Sequence, residues 1–291
     1  MKKGGNLSII LLMLLLWPIA SSAQRREPLP VEFVKISGRL FEITGGSGAR
    51  GGMYIGDNGV LVIDAKMDKD SVDRVLQEIE RIAGKPVVYL VNTHSDGDHI
   101  MGNRFFSESV TVISHENCRK EFFLPQRDGS PSEWSNPELS PFIPSLTFRD
   151  KMDVYLGSKK VELWHFGTGH TVGDTVVYFP EENVAFVGDQ YFKGRPPLIH
   201  SYKGGNSFGH VTNLESMLAA LDANQFMSGH SDPASREDIR NHIAVMKKRH
   251  EKVTTLIQNG KTLDEIKREF GDNESALVET IFTEITTSST R

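Results

Sequence analysis

Short apolar segments separated by glycine and polar residues dominate the first third of the chain. They are rich in Val, Ile and Phe, and they predict strands at residues 32–36, 39–44, 53–55 and 60–63. Glycine, aspartate and asparagine at residues 56–59 predict a hairpin turn between the last two strands. Farther along, apolar residues at helical spacing predict a helix that Asp70 and Ser71 cap and Gly84 closes.

The middle of the chain alternates strands with helices before the pattern breaks. A buried strand is predicted at residues 87–91, a polar loop at 92–99, a strand at 110–114 and a short helix at 116–124. Residues 125–145 differ, because Pro, Ser, Gly and Asp predominate there. A long segment without regular elements inside a domain predicts an inserted functional loop, such as a lid over a site.

The remaining residues complete the pattern of elements. Strands are predicted at residues 153–156, 160–166, 175–179 and 184–187. Helices are predicted at residues 213–222, 236–258, 263–269 and 275–282. This order of strands and helices predicts an α/β fold in which two sheets pack face to face with helices outside.

The N-terminal segment has the features of an export signal. Two lysines precede a short apolar stretch that Pro18 interrupts, and small residues end at Ala23. The stretch is shorter than the about 20 apolar residues that cross a bilayer. We expect residues 1–23 to be a signal peptide, removed from a periplasmic or secreted product that has no stable membrane insertion. Residues 24–291 are expected to form a single domain, with a helical extension over about residues 235–291.

Composition and charge narrow the chemistry. The chain has 291 residues and a formal net charge of −5. It lacks the excess of basic residues that would indicate a nucleic-acid partner. Its single cysteine, Cys118, can form neither an intramolecular disulfide nor a thiolate cluster, and we expect it to be a small core residue. Any metal site must therefore use histidine and carboxylates. The expected partner is a small-molecule substrate, and the oligomeric state stays open.

Four candidate metal ligands follow the predicted strand at residues 87–91, at positions His94, Asp96, Asp98 and His99. Alternate residues of a loop can point the same way, and Gly97 permits the tight backbone that this needs. Packed carboxylates repel one another, and partly buried imidazoles must be satisfied. Since a divalent cation satisfies both, the cluster predicts a metal site.

Three further candidates, His170, Asp189 and His230, each follow a glycine. A single histidine is more often a packed or surface residue than a ligand. Seven such groups, four of them within one loop, indicate metal binding instead.

The ordered set resembles the signature of the metallo-β-lactamase superfamily, which is His-x-His-x-Asp-His, then Gly-His-Thr, Gly-Asp and Gly-His. The resemblance covers about residues 32–230, and the matching positions are His94, Asp98, His99, His170, Asp189 and His230. It implies a four-layer αββα sandwich with two metal ions at one edge, between the sheets. It also implies a first ion held by His94, Asp96 and His170, a second held by Asp98, His99 and His230, and Asp189 as a bridge.

Asp96 departs from that signature, which usually has a second histidine there. The carboxylate either ligates or leaves the first site weak, and diiron flavoproteins of the superfamily place Glu at the matching position. Carboxylate oxygen favours harder metals such as iron or manganese, although Zn²⁺ accepts it at about 2.0–2.2 Å. We expect two zinc ions per chain, with iron or manganese as alternatives.

The resemblance implies a hydroxide on the metal ions that attacks a carbonyl or phosphoryl centre. It makes Asp98 the catalytic residue that orients this nucleophile and carries its proton. We predict an exported metal-dependent hydrolase of an ester, thioester, lactone or amide bond. The alternatives are a β-lactamase, an iron-containing oxidoreductase and a non-catalytic metal-binding protein. Aspartate at position 189 favours a hydrolase other than a β-lactamase, because β-lactamases of the superfamily usually carry Cys or Ser there.

Several other polar residues have two interpretations. Asp64 either braces the metal loop or caps its own strand, and His115 either supports the site or packs in the core. The remaining histidines are expected to pack or to lie at the surface: His165, His200, His210, His242 and His250. The loop after Asp189 offers substrate contacts, none of which is singled out: Lys193, Arg195, His200, Tyr202 and Asn206.

Overall fold

Two β-sheets form the centre of the fold in the computed structural model, which describes residue 1 and residues 29–126 and 128–288. The first sheet runs in chain order through β1 Glu32–Lys35, β2 Leu40–Thr44, β3 Gly51–Ile55, β4 Val60–Ile63, β5 Val87–Val91, β6 Thr111–His115 and β7 Leu146–Phe148. The second contains β8 Lys151–Leu156, β9 Lys159–Trp164, β10 Val176–Phe179, β11 Val184–Gly188, β12 Gln225–Ser228 and β13 Ala234–Ser235. Its strand order is β13-β12-β11-β10-β9-β8. The predicted signal peptide, apart from its first residue, lies outside the described residues.

The helices lie between and after these strands. The described residues form α1 Lys69–Ala83, α2 Gly97–Ile100, α3 Glu116–Glu121, α4 Ser207–Ala220, α5 Arg236–Gln258, α6 Leu263–Phe270 and α7 Ser275–Ser288. Short 3-10 helices occur at Met101–Phe105, Glu133–Ser135, Pro137–Phe142, Ser201–Lys203 and Asp272–Glu274. Within the described ranges, none of the helices combines the length and the apolarity needed to span a bilayer.

Alternation along β4 shows how the first sheet is covered on both faces. Leu61 and Ile63 face the second sheet and share a buried cluster with Phe179 of β10. Val60 and Val62 point the other way and pack in a cluster with α1. Successive side chains of a strand point to opposite faces, so a strand of four apolar residues is buried on both sides. Each such side chain contributes about 1.5–3 kcal/mol on burial.

The second sheet carries its own helical layer. Ala185 and Val187 of β11 pack with Leu214 of α4 and with Ile239 and Met246 of α5. Residues of α6 and α7 join the same cluster, so the C-terminal helices lie over this sheet. The layers are therefore helix, sheet, sheet, helix, and the predicted αββα fold class is confirmed.

The predicted cap of α1 was wrong. Asp68, rather than Asp70 or Ser71, is the N-cap residue, because its extended backbone lets a carboxylate oxygen accept from the Ser71 amide at 2.8 Å. The Ser71 hydroxyl accepts instead from the Ser47 amide at 2.8 Å. The helix ends as predicted at Gly84, whose φ of 56° closes it in the left-handed conformation.

Two other helices differ from their predicted positions. The structure begins α4 at Ser207 rather than at residue 213, with the Asn206 side chain accepting from the Gly209 amide at 2.7 Å. Gly209 is a weak helix former, which hides this start in the sequence pattern. The loop predicted at residues 92–99 ends in α2, whose N-cap residue is Asp96.

The segment predicted as an irregular loop at residues 125–145 is partly ordered into two 3-10 helices. Trp134 and Ile143 are buried in a small apolar cluster with Ile100, Cys118 and Phe122. This confirms the prediction that Cys118 is a core residue. The segment therefore packs against α2 and α3 rather than lying free over the surface.

Parallel strands direct the candidate ligands to one edge of the sandwich. In the first sheet, β4, β5 and β6 are parallel neighbours, and in the second sheet β11 is parallel to β12. The chain leaves β5 just before His94, β11 at Asp189 and β12 just before His230. Because the carboxyl ends of parallel neighbours meet at the same edge, these residues converge there.

Candidate metal centre

A sharp turn after β5 presents the first four candidate ligands. Asp96 adopts an extended backbone conformation at the N-terminus of α2, and its carbonyl accepts from the His99 amide at 2.9 Å. The turn sets His94 and Asp96 before the helix and Asp98 and His99 inside it. His94 and His99 are buried, and their rings lie 4.1 Å apart.

The first group contains His94, Asp96, His170 and Asp189, with one ligand atom from each lying within 4.8 Å of the others. Asp96 Oδ2 lies 3.5 Å from His94 Nε2 and 3.2 Å from His170 Nε2. His170 is held in place because its Nδ1 donates to the Leu198 carbonyl at 2.7 Å. That bond leaves Nε2 directed toward the other members of the group.

The second group contains Asp98, His99 and His230, again within 4.8 Å. His230 Nε2 lies 2.9 Å from Asp98 Oδ2 and 3.4 Å from Asp189 Oδ2. The other oxygen of Asp189 lies 3.3 Å from His99 Nε2. Asp189 thus contacts both groups, as a bridging carboxylate would. The structure brings all seven predicted residues together, and their roles as ligands stay a prediction.

Glycines next to the late candidates allow this approach. Gly188 has a φ of 54°, and a Cβ atom there would lie 2.6 Å from Thr93 Oγ1. A Cβ atom at Gly229 would lie 2.4 Å from Asp189 Oδ1 and 2.7 Å from the His99 ring. Any side chain at position 229 would therefore displace two members of the site.

Unpaired buried atoms show that the residues fit a metal ion. His94 Nε2, His99 Nε2 and Asp189 Oδ1 are buried and make no hydrogen bond within the described part of the chain. A buried polar atom without a partner costs about 1–3 kcal/mol. Three such atoms directed into one place fit a divalent cation bound by nitrogen and carboxylate oxygen.

The carboxylates and imidazoles strongly shift one another's pKa values. Burial raises the pKa of Asp189, but the nearby His99 and His230 lower it well below its usual value. Burial lowers the pKa of His230, yet its carboxylate partners raise it to about 9. The pKa of His170 is also raised to about 9 against burial, chiefly by its hydrogen bond to Asp96. Protons held by these imidazoles compete with a cation, so metal affinity here must depend on pH.

Asp64, at the end of β4, braces the loop that carries the first ligands. Its carboxylate accepts from the Thr93 amide and the Thr93 hydroxyl, both at 2.8 Å. Its Oδ2 also lies 2.8 Å from His99 Nδ1. Because a carboxylate only accepts, Nδ1 must carry the proton, and Nε2 faces the site. Of the two interpretations of Asp64, the structure therefore favours the brace.

Sequence reasoning missed two residues that reach Asp96. His200 Nε2 lies 2.8 Å from Asp96 Oδ2, and Lys203 Nζ donates to Asp96 Oδ1 at 2.6 Å. The His200 amide donates to the His170 carbonyl at 2.9 Å, which returns this loop to the site. The available signal in the sequence was that both residues lie in the loop after Asp189, but this did not single out either of them.

Other candidates lie away from the two groups. His115 stacks on His165 at 3.7 Å and accepts from the Asn117 amide, so it packs and caps α3. Asn206 caps α4, and Arg195 lies over the Phe192 ring at 3.9 Å. Lys193 is exposed, and Tyr202 is one of the residues that line a cavity. Two of the remaining histidines, His210 and His242, contact each other at 3.1 Å, and His250 lies 3.1 Å from Ser207 Oγ.

A cavity of about 420 Å³ lies beside the ligand loop, lined there by Ser95 and Gly97, the residues on either side of Asp96. Lys203 and Ser95 line it on the side of the metal centre, and Met101, Phe122 and Trp134 give it an apolar wall. Glu121 also lines it, with a buried Oε1 that lacks a hydrogen-bond partner among the described residues. Burial raises the pKa of Glu121 to about 7. The cavity is large enough for a small organic molecule.

Comparison with models of known protein families identifies the family of this chain. The family model described as the metallo-beta-lactamase superfamily matches residues 52–230, more than half of the chain. The matched range includes all seven candidate ligands.

Two curated relatives are each 25% identical to the chain. One is the 2,4-dinitroanisole O-demethylase subunit alpha of Nocardioides sp. (strain JS1661), matched over 70% of this chain and 58% of its own length. The other is the linear primary-alkylsulfatase of Pseudomonas sp. (strain ATCC 19151), matched over 72% of this chain and 47% of its own. The chain thus spans about half the length of these relatives.

A solved structure supports the fold independently. A metallo-beta-lactamase from Pontibacter korlensis superimposes with a TM-score of 0.62 over 75% of this chain and 99% of its own. Its sequence is 18% identical to the chain, so the likeness shows the fold alone.

Proposed function

The chain belongs to the metallo-β-lactamase superfamily, and on that premise we propose that it is an exported, metal-dependent hydrolase. Its substrate would be a small molecule with an ester, thioester, lactone or amide bond. Two zinc ions would be held by His94, Asp96 and His170 and by Asp98, His99 and His230, with Asp189 between them. Bound metal ions would activate a water molecule as nucleophile and polarise the bond that is cleaved.

One observation carries the proposal. Seven side chains from four separate segments meet at one edge of the sandwich, and three of their buried atoms have no hydrogen-bond partner within the described residues. Buried polar atoms are normally paired, so a set left unpaired in one place indicates a missing positive partner. A stabilising role for the metal alone would not need an adjoining cavity of about 420 Å³.

Asp98 is the residue that we propose to hold and move the proton. Its side chain is 33% exposed, more than those of the other three carboxylate and imidazole candidates of its loop, so a substrate and water can reach it. His230 Nε2 lies 2.9 Å from Asp98 Oδ2, so the two side chains are placed to share one metal ion. A carboxylate in this position can accept a proton from the attacking water and pass it to the leaving group.

The cavity beside the first group would receive the organic part of the substrate. Its apolar wall favours an alkyl or aromatic group, while Glu121 and Lys203 offer polar contacts. One relative is an alkylsulfatase by name, so sulfate esters belong among the candidate esters.

The test compares metal-loaded with chelator-stripped protein on carboxylic esters, thioesters, lactones, amides, a primary alkyl sulfate and a carbapenem. We expect hydrolysis of at least one non-lactam substrate by the loaded protein, and its loss on stripping. Asp98→Asn should lower this activity at least 100-fold, while the exposed control Asp73→Asn should not. Equal rates before and after stripping would reject the proposal, and activity on the carbapenem alone would favour a β-lactamase. Redox activity with bound iron would favour an oxidoreductase.

Export has its own test. Expression of the full chain in a host with a secretion pathway should yield a product whose first residue is Gln24. A product that retains residues 1–23 would contradict this part of the proposal.

A further inference from the structure

The surroundings of Asp96 distinguish it from an ordinary helix cap. It is the N-cap residue of α2, yet its side chain makes no cap hydrogen bond. Its Oδ1 accepts instead from Lys203 Nζ at 2.6 Å, and its Oδ2 lies 2.8 Å from His200 Nε2. The carboxylate is thus held by residues from a loop more than 100 positions away, rather than by its own helix.

Asp96 supplies most of the compensating charge for Lys203, while Glu121 acts on it from across the Ser95 hydroxyl, which contacts both side chains. Its side chain is only 11% exposed, and besides Asp96 its Nζ donates to the neutral hydroxyl of Ser95 at 2.8 Å. An ammonium removed from water is unfavourable unless a negative group and hydrogen bonds replace the water. Asp96 is the carboxylate in direct contact with it, so the two side chains form a largely buried ion pair with no net charge.

The two oxygens of Asp96 face different ways. Oδ1 is bound by Lys203, whereas Oδ2 is the oxygen near His94 Nε2 and His170 Nε2, at 3.5 and 3.2 Å. Oδ1 is committed to the ammonium, whereas Oδ2 accepts from His200 Nε2 with one lone pair and keeps the other to contact a metal ion. The 3-10 helix Ser201–Lys203 sets this arrangement, since it places Lys203 and the preceding His200 on the same carboxylate.

We propose that the Asp96–Lys203 ion pair replaces the neutral histidine of the family signature, supplying one oxygen ligand without adding net charge to the centre. Lys203 and His200 are then positioning residues that fix Asp96. Three carboxylates give the seven candidate ligands a charge of −3 with neutral imidazoles, and the ammonium of Lys203 reduces it to −2. A second histidine at position 96 would give the same −2 without the lysine. This inference rests on the metal binding of the proposed function.

The experiment uses the full mature protein and Zn²⁺ alone, and compares Asp96→His, Asp96→Asn and Lys203→Met with both double variants. The readouts are zinc bound per chain after dialysis and zinc affinity against a chromophoric chelator. We expect Asp96→His and Asp96→Asn each to lose at least tenfold in affinity, because each leaves the ammonium unpaired beside the cation. Adding Lys203→Met should return Asp96→His to within about threefold of the unmodified protein, and should recover part of the loss in Asp96→Asn. Lys248→Met, which removes an exposed lysine of α5, is the control and should change nothing.

The outcomes separate the two proposals. If the unmodified protein binds zinc but the effects of the Asp96 and Lys203 changes on zinc affinity simply add, the ion-pair inference is wrong and the proposed function stands. No binding of zinc, iron or manganese by the unmodified protein would overturn both. A purely structural role for Lys203 would lower the melting temperature of Lys203→Met without any coupling in zinc affinity. The isosteric Asp96→Asn pair keeps the test decisive if Asp96→His does not fold.

Discussion

Replacing Asp64 with asparagine tests how strongly the fold prepares the metal centre. Asp64 lies 6% exposed at the end of β4 and accepts three contacts, from the amide and hydroxyl of Thr93 and from His99 Nδ1. Its φ of 57° is a left-handed conformation that asparagine also adopts, so the backbone can stay in place. The substitution therefore changes hydrogen bonding with little change in shape.

The asparagine amide cannot satisfy the same partners in either orientation. With its oxygen toward the Thr93 amide, its NH₂ group faces the proton on His99 Nδ1. With its oxygen toward His99, the NH₂ group faces the Thr93 amide proton. The first orientation drives His99 to carry its proton on Nε2, which blocks that atom as a ligand. Loss of a partner that orients a metal ligand typically costs about 10- to 100-fold in affinity, or about 1.4–2.8 kcal/mol.

The assay is competition for zinc between the protein and a chromophoric chelator, with zinc content checked by elemental analysis. Asp57→Asn is the matched control, because Asp57 also accepts from one amide and one hydroxyl, those of Ser158, but lies in the turn between β3 and β4. We expect zinc affinity to fall 10- to 100-fold in Asp64→Asn and to stay unchanged in Asp57→Asn. Affinity within threefold of the unmodified protein in Asp64→Asn would refute the idea that Asp64 sets the tautomer of His99.

Three further predictions concern stability. Chelator-stripped protein should melt at a lower temperature than zinc-loaded protein, because bound zinc raises the free energy of unfolding by about 2.7 kcal/mol per site at a free zinc concentration of 100 times Kd. An identical melt in calorimetry would contradict metal binding. Burial lowers the pKa of His250 to about 4, below its usual 6.5, so its contribution to stability is complete above pH 6.5 and is lost as pH falls toward 4. In urea unfolding, His250→Gln should reduce the loss of unfolding free energy between pH 7 and pH 4 by up to about 3 kcal/mol. Burial raises the pKa of Glu121 to about 7 from 4.5, so the buried carboxylate destabilises the fold increasingly as pH rises between those values. Glu121→Gln should be more stable than the unmodified protein by up to about 3 kcal/mol at pH 8 and equal to it at pH 4. No gain at pH 8 would show that other groups compensate the charge of Glu121.

Strands and long helices were the most predictable part of the fold. The run at Val60–Ile63 and the helix Arg236–Gln258 have the predicted bounds, because an uninterrupted apolar run and a long amphipathic pattern leave few alternatives. The start of α4 was missed, because a cap at Asn206 and a glycine in the first turn do not resemble a helix locally. The short strand Leu146–Phe148 was also missed, since its pairing with β6 depends on residues far away in sequence.

The candidate site divides in the same way. Its seven proposed ligands were found from the sequence because each lies at or near the end of a strand or beside a glycine, in a recognisable order. The brace at Asp64 was one of two interpretations, and the choice between them required the distances to Thr93 and His99. His200 and Lys203 could not be singled out, because they contact Asp96 across 104 and 107 positions of the chain.

Lys203 also changes how Asp96 bears on the choice of metal. From the sequence alone, the carboxylate oxygen of Asp96 favours a harder ion such as iron or manganese. In the fold, the ammonium of Lys203 lies 2.6 Å from Asp96 Oδ1 and offsets the charge of this carboxylate. The first group offers two imidazoles and two carboxylates, a mixed donor set that zinc also accepts. Because Lys203 offsets the charge of Asp96, the centre keeps the net charge that a second histidine would give it, and zinc stays the metal that we propose.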